Sequence, residues 1–167
     1  MPAAAGRGEG VAEESFRMEL QQLAGYRFTV RFDDPAIPPL NTDEPPPLGT
    51  GTGPNPARLL GTAVANCLAA SLLFALRKYG NDPTPMRAVV TVTLGRNAQG
   101  RTRVTRIGVE LVLGVPAASL KHADRALAQY EDFCVVTGSV RAGIDVDVTV
   151  RDSLGAQLRA EPALAAP

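Results

Sequence analysis

The dominant pattern in the chain is an uncharged run, Leu59 to Leu76, set inside the stretch PARLLGTAVANCLAASLLFALRKY, residues 56–79. Asn55 suits an N-cap, Pro56 the first helical position and Gly80 the residue past the end. One helix of about 24 residues, roughly 36 Å long, is therefore expected. Apolar side chains fall on nearly every face of it, so nearly every face must be covered. Before it, Phe16, Met18 and Leu20 alternate with Arg17 and Glu19, and Phe28, Val30 and Phe32 alternate with Arg27, Thr29 and Arg31. These are two strands, joined at Ala24-Gly25 as a hairpin. After it, Val90, Val92 and Leu94 alternate with Thr91 and Thr93, a turn falls at 97–100, and Ile107, Val109, Leu111 and Leu113 share one face of the next strand. A second helix is expected from Pro116 to about Phe133, with Leu120, Ala123, Ala126, Leu127 and Tyr130 at helical spacing. The segment VVTGSVRAG then leads into a last strand, where Ile144, Val146, Val148 and Val150 alternate with Asp145, Asp147 and Thr149.

The order ββ-α-ββ-α-β defines an α+β fold: antiparallel hairpins with one face needing cover, and two helices to supply it. One sheet and one other helix cover about two sides of the central helix, so a homodimer is expected to cover the remainder. Between the second strand and that helix, DDPAIPPLNTDEPPPLGTGTGPN (33–55) is too rich in Pro and Gly for a regular element. A loop this long is usually functional or disordered. Residues 1–14 read as disordered, 15–152 as the folded domain and 153–167 as a frayed tail.

Composition narrows the class. The chain has 167 residues, enough for one domain or a compact subunit, and 45% are hydrophobic. Aromatics are 5% with no Trp, so the core is built from Ala, Leu and Val. Seventeen Lys plus Arg balance seventeen Asp plus Glu, which argues against a nucleic-acid partner. The uncharged run is 18 residues, at the lower limit for a membrane span, but it contains Gly61, Thr62, Asn66 and Ser71. A buried helix of a soluble protein, with no membrane partner, is the expectation. MPAAAGRGEGVAEES holds no apolar core of a secretory leader, so a cytoplasmic protein with reduced thiols is expected.

Several motifs fall away. GTGTGPNP lacks the lysine of a phosphate-binding loop and follows no βαβ unit. RTRVTR (101–106) reads as a solvated strand end. With one histidine, His122, among wet positions, and no CxxC spacing, neither a structural metal site nor a Ser-His-Asp triad is expected. What remains is two cysteines, Cys67 within the central helix and Cys134 at the junction after the second. If the two helices pack, the thiols could meet and cycle through a reversible disulfide. Taken alone, Cys67 reads first as a small buried hydrophobe.

GPNPARLLGTAVANCLAASL (53–72) is similar to the Gly-x-x-Pro-Glu-x-Leu-Leu-x-Ala-x-x-x-Cys pattern of the OsmC/Ohr family, and DFCVVTGSV (132–140) to its Cys-Pro-Val-Ser segment. DEPPPLGTGTGPNP resembles the loop that leads into the helix in one branch of that family. Over roughly residues 15–152 the chain thus resembles osmotically inducible and organic-hydroperoxide-resistance proteins. The resemblance implies an intertwined homodimer with two sites at its interface. It implies that Cys67 is the peroxidatic thiolate and becomes a sulfenic acid, that Cys134 resolves it to a disulfide, and that an external dithiol, without any cofactor, restores both. An apolar pocket would favour alkyl or fatty-acid hydroperoxides.

Family peroxidases also place an Arg in the loop before the helix and a Glu just inside the helix. A thiol of ordinary pKa, about 8.5, needs such a cation to react well at neutral pH. Here the Glu position is Ala57, residues 33–55 contain no Arg, and Val135 replaces the Pro after the second cysteine. Arg58 lies nine residues before Cys67, near the opposite face of a straight helix. Asp43 and Glu44 in the loop would raise a neighbouring thiol's pKa unless a cation intervened. The candidates for cation or substrate contacts are Arg27 and Arg31 on the second strand, otherwise a solvated strand face, with Glu44, or an Arg of the other subunit. The expected function is a thiol-dependent organic hydroperoxide reductase. The alternative is a non-peroxidatic relative that binds a small apolar ligand or acts as a thiol redox sensor.

Overall fold

The computed structural model describes residues 14–160. The expected disorder of 1–13 and fraying of 161–167 lie outside the described residues. The chain divides into two compact units, one ending at Asn55 and one beginning at Pro56.

The first unit is an antiparallel sheet in the order β1-β2-β3, with β1 at Met18–Ala24, β2 at Arg27–Phe32 and β3 at Leu40–Thr42. The hairpin turn is where Gly25 was read, and Gly25 takes φ +55°, a conformation that side chains disfavour. The first strand runs four residues further than its strict alternation, to Ala24 rather than Leu20. β3 corrects the expectation that nothing regular survives in 33–55. Leu40-Asn41-Thr42 lies between Pro39 and Pro45, and these three residues pair with Val30, Thr29 and Phe28. Proline excludes strand only where its own missing N–H is needed.

The second unit is built on α1, Pro56–Lys78. Its buried residues are Gly61, Val64, Ala65, Leu68, Ser71, Leu72, Ala75 and Leu76, one stripe at the helical repeat. α1 lies against the first two strands of the sheet β4-β5-β6-β7 on one side and against the helical segment 123–140 on another. β4 is Arg87–Arg96, β5 Thr102–Val112, β6 Asp145–Arg151 and β7 Gln157–Ala160. A β-carbon on Gly61 would stand 2.5 Å from Val92 Cγ2, so the small residue lets α1 approach β4. Ile107, Val109 and Leu111 of β5, opposite Val146, Val148 and Val150 of β6, form the sheet's share of the core.

Three expectations are corrected here. β5 and β6 pair in parallel, not as part of an all-antiparallel arrangement, because a long helical crossover joins them. The second helix is not continuous from Pro116. It is a 3₁₀ turn at Ala117–Ser119, α2 at Ala123–Gln129, a 3₁₀ turn at Tyr130–Phe133 and α3 at Val135–Val140. The tail is ordered through Ala160, since β7 pairs with β6.

Candidate functional site

Cys67 occupies the fourth turn of α1, half-buried and packed against the core. Cys134 is 2% exposed and sits between the 3₁₀ turn at 130–133 and α3. Two backbone bonds fix it there: Cys134 N–H donates to Glu131 O at 2.9 Å, and Cys134 O accepts from Gly138 N–H at 2.9 Å. Because α1 packs on both 3₁₀ turn and α3, residues 67 positions apart in sequence come together. The Cys67 thiol bears on that of Cys134, and the two are not joined by a disulfide. Cys134 Sγ is also 2.9 Å from Thr137 Oγ1.

The electrostatics of Cys134 oppose each other. Burial pushes its thiol up from the ordinary value, and the hydrogen bond with Cys67 pushes the same way. The hydroxyl and the backbone N–H of Thr137 pull it down. Burial prevails, so Cys134 is held as a thiol more firmly than a free cysteine.

Behind this turn, Glu131 takes Arg159 Nη2 on Oε1 at 2.9 Å and Arg141 Nη2 on Oε2. Arg159 also donates to Leu127 O and lies 5.4 Å over the Tyr130 ring. β7 and the end of α3 are thus tied to the turn that carries Cys134. In front of it the surface is apolar. Phe74, two helical turns beyond Cys67, meets Phe133 edge to face with centroids 6.4 Å apart. Both rings are more than half exposed, as is Val135.

The remaining candidates sit in other surroundings. Arg31 on β2 is exposed and donates to Gln21 Oε1 at 2.8 Å. Arg27, half-buried, lines a pocket of about 250 Å³ with Tyr26, Asp43, Leu48 and Thr50. Glu44 is half-buried, and its carbonyl accepts from Gly51 N–H at 3.0 Å. All three belong to the first unit. Ala57 is half-buried and Arg58 exposed on α1. His122 is exposed, in a left-handed conformation before α2, with its ring 5.6 Å from Tyr79. Among the described residues, no cluster of three or more His, Cys, Asp or Glu is placed to hold a metal ion.

Asp43 is a loop organiser. Its Oδ2 accepts from Thr50 N–H at 3.0 Å, Thr50 Oγ1 at 2.6 Å, Thr52 N–H at 3.2 Å and Thr52 Oγ1 at 3.1 Å. Those donors, led by the Thr50 hydroxyl, hold its carboxyl well below the usual range. The sequence signal for this was the Thr-x-Thr repeat seven residues downstream of an Asp. Thr137 and the Glu131 cluster had no comparable signal.

A buried helix carrying one cysteine, packed on a turn carrying another and backed by a sheet, places the molecule among α+β dithiol proteins. The sequence model of the OsmC-like protein family matches residues 49–149, and the chain belongs to that family. Solved structures agree on the fold. An OsmC-like protein of unknown function from Vibrio cholerae has a TM-score of 0.68 at 16% identity, covering 84% of this chain and 99% of that one. A putative organic hydroperoxide resistance protein from Vibrio cholerae, with captopril bound in one of its active sites, has a TM-score of 0.66 at 23% identity, covering 91% and 100%. The organic hydroperoxide resistance protein OsmC from Legionella pneumophila has a TM-score of 0.63 at 17% identity, covering 84% and 98%. No curated protein matches the chain by sequence.

Proposed function

We propose that this protein is a thiol-dependent peroxidase that reduces organic hydroperoxides through Cys67 and Cys134. The observation that carries the reading is the meeting of the only two cysteines, one half-buried and one buried, across two elements of the core. The names of several fold neighbours point the same way. In the cycle, the Cys67 thiolate attacks the distal peroxide oxygen. An S–O bond forms, the O–O bond breaks, and the alkoxide leaves and takes a proton as the alcohol. Cys134 sulfur then bonds to Cys67 sulfur, the S–O bond breaks, and the hydroxide departs as water with the Cys134 proton. An external dithiol supplies the two electrons that reopen the disulfide. The exposed apolar side chains of Phe74, Phe133 and Val135 support an alkyl or fatty-acid hydroperoxide over hydrogen peroxide. The cation that the Cys67 thiolate needs is proposed to be an Arg, for which Arg27 and Arg31, with Glu44 as a further polar contact, or an Arg of a partner, are the candidates the sequence offers. No cofactor, nucleic acid or membrane takes part. The working form is a homodimer, and the need for a dithiol reductant fits the cytoplasm.

A second reading draws on Ala57, where family peroxidases carry a carboxylate. Without it the site would bind a small apolar ligand or sense thiol oxidation. Thiol titration separates the two. One equivalent of cumene hydroperoxide is expected to remove two thiols per chain. Cys67→Ser should abolish the loss, and Cys134→Ser should leave a sulfenic acid at Cys67. Thiols that survive excess peroxide overturn the peroxidase and leave the ligand-binding reading.

A further inference from the structure

Thr137 is 1% exposed, and its hydroxyl makes an unusual choice of partner. Hydroxyls in helices commonly bond back to the carbonyl four residues earlier. Thr62 does so with Arg58 O, and Ser139 with Val135 O, each at 2.8 Å. Thr137 Oγ1 instead lies 2.9 Å from Cys134 Sγ. The sulfur is therefore held by the Thr137 hydroxyl, and the Cys67 thiol bears on it as well. Of the charged groups on the same turn, Glu131 pairs with Arg141 and Arg159, and Asp132 is exposed.

We propose that Thr137 is a positioning residue for disulfide closure. Its hydroxyl fixes the Cys134 sulfur towards Cys67 and turns from acceptor to donor when that sulfur carries negative charge. During closure the Cys134–Cys67 S–S bond forms, the S–O bond of the sulfenic acid breaks, and water leaves with the Cys134 proton. During reduction an external thiolate bonds to Cys67, the S–S bond breaks, and Cys134 departs as a thiolate onto the same hydroxyl. Attack on peroxide at Cys67 does not use it. The chemical role rests on the peroxidase reading; the hydrogen bond and its effect on Cys134 do not.

The test therefore has two arms. In a Cys67→Ser background, the pH dependence of Cys134 alkylation by iodoacetamide is measured with Thr137 intact and as Thr137→Val, Thr137→Ala and Thr137→Ser. Loss of a hydrogen bond to a charged group should move the midpoint up by about one unit in the Val and Ala variants. Thr137→Ser should restore it. A midpoint unmoved in both Val and Ala variants, or moved equally in the Ser variant, overturns the proposal. With Cys67 intact, dimedone trapping after a single equivalent of cumene hydroperoxide should show Cys67 sulfenic acid persisting about tenfold longer in Thr137→Val, with its formation rate unchanged. Equal slowing of both steps overturns the positioning role. If no variant consumes peroxide, the peroxidase reading fails while the alkylation arm still decides what Thr137 does.

Discussion

Asp152 shows how much one carboxylate can organise without any part in the chemistry. It is 3% exposed and accepts Ala117 N–H at 2.8 Å, Leu154 N–H at 2.9 Å and Ala156 N–H at 2.8 Å. Those bonds, led by the one from Ala117, hold its carboxyl below the usual range. In the unfolded chain it titrates near pH 4. Its contribution is therefore present above about pH 4 and lost as pH falls through the lower folded value. The melting temperature followed by circular dichroism should drop steeply below about pH 4. Asp152→Asn should melt lower at pH 7 and lose less on acidification; an unchanged acid slope would show that other carboxylates, Asp43 foremost, carry the effect. Site legibility was also a matter of residues. Cys67 and Cys134 stood out because thiols are rare here, and each is one of two. Thr137 did not, since a threonine beside a cysteine gains meaning only from a rotamer and a distance. Glu131 was visible only as an acid near Cys134; its partner Arg159 comes from a strand 28 residues away that the tail composition concealed.

At the scale of elements, α1 and the hairpins were legible because their periodicity is long and their caps are ordinary. The second helix was misread because its pattern from Leu120 to Tyr130 is continuous while its backbone is not. Asn81 side-chain atoms bond Lys121 N–H at 2.7 Å and Lys121 O at 2.8 Å, and Asp152 takes the N–H of Ala117. These tertiary bonds hold the backbone of 117–121 out of a continuous α-helix, and His122 at φ +52° delays α2 to Ala123. Hydropathy does not encode bonds of that range. The same holds for β7, whose four residues carry no run of apolar side chains. β7 earns its place through Arg159, which joins Glu131, Leu127 and Tyr130. Removing it as Arg159→Ala leaves the Glu131 carboxylate with Arg141 and strips a bond from Leu127 O. The expected loss of stability in urea denaturation is about 1–3 kcal/mol. Cys134 alkylation should also accelerate through easier opening of its turn, with the pH midpoint unmoved; a shifted midpoint would mean that Arg159 acts on the thiol itself.

For the whole molecule, the question is what covers the side of α1 that its own chain leaves open. Thr62, Ala63, Asn66, Ala70 and Phe74 recur at the helical repeat on an exposed stripe, with Phe74 63% exposed. Phe133, which meets Phe74 edge to face, is also exposed, as is Val135. In the first unit, β1 is exposed along its length, including Met18, Leu20 and Leu23. The expectation drawn from the helix is that a second copy covers this side of α1, and the mass in solution tests it. A second copy would cover Phe74, the one large apolar side chain that α1 leaves mostly exposed. Light scattering after size exclusion should then give about 35 kDa, twice the 17.5 kDa of one chain. Phe74→Glu places a charge in the stripe without touching the buried face. It should shift the mass towards the monomer at low micromolar concentration, with the change weakening as concentration rises. Secondary structure should survive, because Val64, Leu68, Leu72 and Leu76 hold α1 to its own sheet and helices. A wild-type chain that stays monomeric at tens of micromolar would remove the dimer, and with it any cation for Cys67 drawn from a partner.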